Sequence, residues 1–335
     1  MWWAVACSGD DGGWRAQPDL SSAHSGDPPG HSAVESEVHT AADHSSRALL
    51  HTGLSAHSAP DRCVGPPPPP GLVAWVGPAP LSEEFALDAA GDWWGVLEGQ
   101  GLFRWTLGGE PALVLPYSSG EAAGLRFWPD GRTLALADEA AGAIVAMDSV
   151  GLTVTPVLGG LASPNSIGVD AHGDLWIGSY GRFLRLRAGS STPEVLIDLP
   201  YTDLDGVTFS PDERRVWFNG DETGDVWAVD LDAAREVTSV AVQFTMPLYG
   251  TQLDGMTTDA CGNLYLLETD GKLWRRTPAG VLEPLLGPQF AYASAIAFGS
   301  GAGGFDRETL YVMDRASGLY ALPIGLEGRP EPHLP

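Results

Sequence analysis

The 335-residue chain holds a single lysine, Lys272, and three cysteines, Cys7, Cys63 and Cys261. Lys plus Arg number 18 against 43 Asp plus Glu, so the formal net charge is −25. So few cations exclude a nucleic-acid partner, because an acidic surface repels phosphate backbones. Anionic membrane surfaces are repelled for the same reason. No apolar run approaches the roughly 20 residues of a membrane-spanning helix. The cysteines are too few and scattered for a disulfide framework or a C-x-x-C zinc site. Cys63 and Cys261 read either as a disulfide of an oxidising compartment or as two idle thiols. No Trp-Asp dipeptide and no G-x-S-x-G occur, which excludes WD-type repeats and leaves a serine hydrolase without support. What the chain does have is 43 Gly, 27 Pro and 44% apolar residues. That mixture describes a globular core built from short segments with frequent turns, not a helical bundle.

Residues 1–70 read as a disordered tail and linker. From Ser8 to Pro70 the composition is Ser, His, Ala, Asp, Gly and Pro without apolar periodicity, ending in the stiff run Pro66–Pro70. Such a segment buries too little apolar surface to offset its ordering entropy. Six of the eight histidines lie in it: His24, His31, His39, His44, His51 and His57. Their irregular spacing favours a solvated linker over a metal-collecting tail. The start, Met1-Trp-Trp-Ala-Val-Ala-Cys7-Ser-Gly, is similar to the end of a bacterial lipoprotein signal, with small residues before a lipidated cysteine. It lacks a basic n-region and a full apolar stretch. We read it as an exported, tethered protein with a lipid anchor at Cys7, against a late-assigned start or chance.

From Leu81 onward a unit recurs: apolar strand, D-x-x-G-type turn, apolar or aromatic strand, and often a Gly-led third strand. Aligned on their first strands, the units begin at 83, 123, 165, 205, 254 and 294. A period of about forty with four short strands per unit predicts an all-β fold, a six-bladed β-propeller over residues 71–330. The Asp-x-x-Gly steps supply the turns, and Val, Ile, Leu, Trp, Phe and Tyr fill the strands. A strand from Gly71–Val76 is expected to complete the last blade. Trp93, Trp94 and Trp128 read as inter-blade core rather than a binding face. His172 falls in a surface turn and His333 in the terminal tail, both expected to be solvated.

In a propeller the first strand of each blade lines the central channel, so the residues at the mouths of those strands converge. They are Glu83, Ala123, Asn165, Asp205, Asp254 and Ser294. Glu84 is the alternative register to Glu83. Three carboxylates and one amide form an oxygen-only cluster. Carboxylates packed together repel and raise one another's pKa unless a cation neutralises them. Oxygen ligands suit Ca²⁺ best, then Mg²⁺ or Mn²⁺, with Zn²⁺ also admissible. The competing reading is that Asp-Gly and Asn-Ser merely open a strand; four in register at one end of one ring favour the metal site.

These residues carry a family resemblance. Pro164-Asn165-Ser166-Ile167-Gly168-Val169-Asp170, Asp205-Gly-Val-Thr-Phe-Ser-Pro-Asp212, Asp254-Gly-Met-Thr-Thr-Asp-Ala-Cys-Gly-Asn-Leu-Tyr265 and the closing Ala295-Ile-Ala-Phe-Gly299 resemble the senescence-marker-protein/gluconolactonase/regucalcin-like family and its strictosidine-synthase-like relatives. The resemblance implies a six-bladed propeller holding one divalent cation and hydrolysing a lactone or small ester. Glu83 matches the family's first-blade glutamate ligand. Asn165 matches an asparagine that contacts substrate or metal-bound water. Asp254 matches an aspartate that is both ligand and general base. Asp205 stands where the family has an asparagine ligand, and Ser163 where sugar-lactonase members carry an arginine. The first change adds negative charge to the site; the second removes a polar grip on a sugar lactone.

The expectation is therefore a gluconolactonase-like hydrolase with Glu83, Asn165, Asp205 and Asp254 around one divalent cation and Asp254 as base. The alternative is a non-catalytic propeller of the cell envelope that binds a ligand or protein. We expect a monomer in the envelope, periplasm or medium, with the cytoplasm as the other placement.

Overall fold

The computed structural model describes Cys63 and residues 69–79, 82–117, 122–199, 202–248 and 251–334. Of the tail only Cys63, Pro69 and Pro70 are described; its six histidines and Cys7 lie outside the described residues.

The described chain forms six four-stranded antiparallel sheets. Five are consecutive in sequence, with first strands at Phe85–Leu87, Ala122–Phe127, Pro164–Val169, Leu204–Phe209 and Leu253–Thr258. The sixth joins Ala293–Phe298, Thr309–Asp314 and Gly318–Pro323 to Ala74–Gly77, which pairs antiparallel with Gly318–Pro323. The first strand of the fold thus completes the last blade and closes the ring. The expected closing strand is present, shifted by a few residues.

The Asp-x-x-Gly steps have a physical cause visible in three blades. Asp88 Oδ1 accepts from the backbone N–H groups of Ala90 and Asp92, both at 2.9 Å, and Asp88 Oδ2 accepts from Trp94 Nε1 at 2.9 Å. Asp170 repeats this with His172, Asp174 and Trp176. Asp259 repeats it with Cys261, Asn263 and the Tyr265 hydroxyl. The third residue on is Gly91, Gly173 or Gly262, with φ of 83°, 82° and 80°. That left-handed conformation strains any residue with a Cβ. One aspartate therefore caps a turn and anchors an aromatic of the second strand. These aspartates build the blades.

Core packing lies between blades. Six apolar clusters fill the six interfaces, for example Trp94 and Val96 against Leu125 and Phe127, or Trp93 and Trp105 against Ala295 and Tyr311. Phe183 and Phe218 stack across one interface at 3.9 Å. Trp93 and Trp94 are buried, as expected of core residues, and the Trp128 indole donates to Gly173 O at 3.3 Å in the next blade. Burying such rings contributes on the order of 2–3 kcal/mol each. Among the described residues no helix is long and apolar enough to cross a membrane.

Cys63 and Cys261 form a disulfide across 198 residues of sequence, resolving the two readings of these thiols. The bond fixes the segment before the first strand to the blade 5 turn. The C-terminal residues cross the same end of the channel. Ala260 N donates to Glu327 O at 2.8 Å, Gly328 N to Arg307 O at 3.0 Å and Arg329 N to Thr258 O at 3.1 Å. His333 Nε2 lies 2.8 Å from Leu87 O, and its ring packs on Phe127 at 5.0 Å. His333 is therefore not solvated, contrary to the sequence expectation; His172 is exposed, as expected.

Candidate functional site

At the opposite end, each of five inner strands is bulged just past its mouth. The register shifts fall between Ala122 and Leu125, Pro164 and Ile167, Asp205 and Val207, Leu253 and Met256, and Ala293 and Ala295. Bulges re-aim side chains at sheet ends. Glycine follows the mouth residue where neighbouring strands crowd. A Cβ on Gly206 would lie 2.5 Å from Asp254 O and 2.8 Å from Asn219 Nδ2. The Asp-Gly dipeptide thus lets two blades bring their carboxylates to the channel side by side.

Asp205 and Asp254 meet in this way. Burial comes first in raising both, and each is further raised by surrounding acids. Asp205 is pushed up to about 7, with Glu84, Asp221 and Asp203 adding to burial and the Gly206 N–H, 2.7 Å away, opposing it. Asp254 is raised well above the carboxylate range by burial, then by Asp205, Glu84 and Asp221. Asp221, on the rim, is raised to about 6, chiefly by burial. Among the described residues, neither Asp205 nor Asp254 forms an ion pair with Arg or Lys.

Glu83 does not join them. Its carboxylate pairs with Arg315, whose guanidinium lies over the Tyr292 ring. The charge acting on Asp205 and Asp254 is that of Glu84, the alternative register. The side chain of Glu84 pairs with Arg126 at 2.9 Å. Burial raises the Glu84 pKa, and Arg126 opposes the rise. A one-residue offset at a strand entrance turns a side chain to the other face, which is why the two glutamates point to different partners. Asn165 is half-buried at the blade 3 mouth, its backbone carbonyl close to Gly124 of blade 2. Ser163 Oγ donates to Glu139 Oε1 at 2.7 Å.

Sequence reasoning missed two residues. Asn219 sits directly opposite Asp205 in the second strand of blade 4, fully buried. Its Nδ2 donates to Asp254 O at 2.9 Å, while its Oδ1 has no hydrogen-bond partner. Arg126 projects into the channel from the middle of the blade 2 inner strand. The equivalent positions elsewhere are Ala86, Gly168, Thr208, Thr257 and Ala297. A charged residue at an inward position was the available signal.

Among the described residues, no group of three or more His, Cys, Asp or Glu side chains is gathered closely enough to hold a metal ion. The donor chemistry nevertheless suits a hard cation. The groups are all oxygens, the buried Asp254 and half-buried Asp205 form no ion pair among the described residues, and the buried Asn219 Oδ1 and Ser294 Oγ are unpartnered. Buried polar atoms left without a partner cost on the order of 1–3 kcal/mol each.

Comparison with known proteins follows the same outline. Solved structures similar to this chain include a luciferin-regenerating enzyme, with TM-score 0.63 and 16% identity over 77% of this chain and 97% of that one. A regucalcin from Agrobacterium tumefaciens, described as a calcium-binding protein, gives TM-score 0.57 and 20% identity over 77% of this chain and 94% of that one. A gluconolactonase from Xanthomonas campestris gives TM-score 0.57 and 17% identity over 78% and 99%. At these identities the likeness is one of fold. No curated protein matches the chain. The family model for the SMP-30/gluconolactonase/LRE-like region matches residues 93–314. With that match covering about two thirds of the chain, four whole blades, three strands of the first and two of the last, the chain belongs to the SMP-30/gluconolactonase/LRE-like family.

Proposed function

We propose that the channel mouth is the active site of a divalent-cation-dependent hydrolase of a lactone or small ester. The observation that carries this reading is the pair Asp205 and Asp254, brought together from adjacent blades without a cation to neutralise them. Asp205, Asp254, Glu84 and Asn165 would hold the ion, Ca²⁺ by donor type, with Mg²⁺, Mn²⁺ or Zn²⁺ as alternatives. Glu84 takes the role expected of Glu83. When bound, a divalent cation polarises a carbonyl oxygen and acidifies water.

Asp254 would accept the proton of the attacking water. Its backbone carbonyl accepts from the Asn219 amide, which anchors this point of the strand. General-base catalysis of this kind contributes roughly 10²–10⁴-fold. The Cys63–Cys261 bond supports an oxidising compartment, outside the cytoplasm.

The test is hydrolysis of a panel of lactones and esters, with and without chelator, by wild type and by Asp254→Asn. Loss of at least about 100-fold in both arms is expected. A rate indifferent to both treatments removes the reading. A second reading is favoured by Ser163, which stands where a sugar-gripping arginine would be and is already engaged with Glu139. It is a propeller that binds a ligand without turning it over. Cation binding with no turnover across the panel would support it.

A further inference from the structure

In this acidic chain most described arginines face a carboxylate: Arg132 meets Asp148, Arg182 meets Asp198 and Arg187 meets Glu236. Arg214 and Arg276 do not. Among the described residues neither forms an ion pair. Arg276 ends the third strand of blade 5, Leu273–Arg276, and is half-buried. Its guanidinium lies over the Phe244 ring of blade 4, 4.5 Å from the centroid. Arg214 is exposed, just before the second strand of blade 4, Arg215–Gly220. A cation withdrawn from water without an acid beside it costs free energy, and an anion from outside would offset that cost.

Both residues line one groove of about 610 Å³ between blades 4 and 5, which Arg215 and the disulfide-bonded Cys261 line as well. The groove therefore lies at the base end, beside the staple and away from the carboxylates of the mouth. Arg215 is stacked as Arg276 is, 5.1 Å over the Trp217 ring, and its Nε meets Asp230 Oδ1 at 2.5 Å. Trp217, Phe244 and Leu264 pack in one apolar cluster, and Leu264 is paired in register with Arg276. The two guanidinia thus rest on rings of a single packed interface, which holds them in place before any ligand arrives. Two aspartates share the groove, and both are engaged. Asp230 takes Arg215 and accepts from the Ser239 hydroxyl at 2.9 Å. Asp212 accepts from Ser210 Oγ at 2.6 Å and from Arg214 N at 3.2 Å. Three arginines against two aspartates leave a formal +1 in the groove of a chain that carries −25. Burial first, and then Arg215, lowers the Arg276 pKa, the direction expected of a guanidinium that no acid neutralises.

We propose that this groove binds a phosphate group, free or as the monoester of a small molecule, with Arg276 and Arg214 supplying the unshared guanidinium donors. Arg215 adds a third positive charge without leaving Asp230. Guanidinium forks present paired N–H donors to oxyanions. One fork satisfies a carboxylate, whereas forks from two blades suit a tetrahedral group with several acceptor oxygens. The chain's overall charge repels a long polyanion, so a single phosphate on a small body is the chemistry that fits. The site is separate from the mouth and stands whether or not the hydrolase reading holds.

The experiment is calorimetric titration of the full chain, in chelator, with inorganic phosphate, phenyl phosphate or benzoate alone. It compares wild type with Arg276→Met, Arg276→Lys and Arg132→Met. Losing a hydrogen bond to a charged group weakens binding by about 10–100-fold. Arg276→Met should lose phosphate affinity in that range, and Arg276→Lys should recover part of it. Arg132→Met, which alters a paired arginine of blade 2, should match wild type. Benzoate should bind wild type more weakly than phenyl phosphate does. Unfolding midpoints without phosphate show that each variant is folded; added phosphate should raise the midpoint of wild type and leave that of Arg276→Met in place. Tighter binding of phenyl phosphate than of inorganic phosphate supports a monoester, and equal binding supports the free ion. A wild-type chain that binds neither phosphate overturns the proposal. So do equal affinities of wild type and Arg276→Met, or benzoate binding as tightly as phenyl phosphate.

Discussion

The two ends of the channel are built from the same six inner strands and have opposite chemistry. At the mouth the unpartnered buried atoms are oxygens, Asn219 Oδ1 and Ser294 Oγ, beside two carboxylates. At the base they are nitrogens, Arg329 Nε and His333 Nδ1. Among the described residues, no Arg or Lys pairs with Asp205 or Asp254 at the mouth. The base is crossed by the chain itself and fastened by a disulfide next to that crossing. Strength and the proposed function are separated along one axis: one end is crossed and fastened by the chain, and the other holds the two raised carboxylates. Residues held against their solvation preference cluster at functional sites, and the surrounding structure offsets their cost.

The sharpest way to test that separation is to cut the staple. Replacing Cys63 and Cys261 by Ser should lower stability by about 2–4 kcal/mol, since cross-links of long loops restrict the unfolded chain most. Denaturant unfolding reads this directly. Hydrolysis and Ca²⁺ affinity should stay unchanged, because the bond lies at the base. A drop in affinity comparable to that of Asp254→Asn would mean that the ends are not independent.

A smaller effect is expected inside the crossing segment. A Cβ on Gly328 would come 2.3 Å from Phe298 Cβ, and both residues are half-buried. Gly328→Val should cost about 1–3 kcal/mol, as overpacking usually does. It should also speed proteolysis of the C-terminus while leaving the mouth intact. An unchanged unfolding midpoint would show that the segment drapes over the base without bracing it.

The mouth was more legible in the sequence than the base, for a physical reason. Blade strands repeat, so a period of forty and the Asp-x-x-Gly steps locate every inner strand and its entrance. Asp205 and Asp254 follow from that register alone. Glu83 and Glu84 do not, because blade 1 opens with two adjacent glutamates and only packing decides which faces the channel. Asn219 was hidden because it sits on a second strand, where the repeat assigns no chemistry. The crossing segment has no counterpart in the other blades. Arg329-Pro-Glu-Pro-His333 reads as tail on composition, and its order comes from ring geometry that no local pattern encodes.

The smallest prediction concerns pH, where the two ends carry opposite signs. His333 is held below its ordinary pKa first by burial, with Arg329 and Arg126 adding to the effect and Glu331 and the Leu87 carbonyl opposing it. Protonation would place a proton on Nδ1, which has no partner. A histidine lowered on folding gives stability that is present above its unfolded value near 6.5 and lost as pH falls through the folded value. Asp205 is raised, so its contribution runs the other way: full below about 3.8 and lost as pH rises toward 7. His333→Gln keeps a donor for Leu87 O and removes the titration. In chelator, the stability advantage of wild type over His333→Gln should therefore shrink between pH 7.5 and 5.5, read as the difference in unfolding midpoints. The Asp205→Asn protein should show the reverse trend, gaining on wild type as pH rises over the same range. A His333→Gln difference that stays constant with pH would place the ring in solvent after all, and the base would lose its titrating contact.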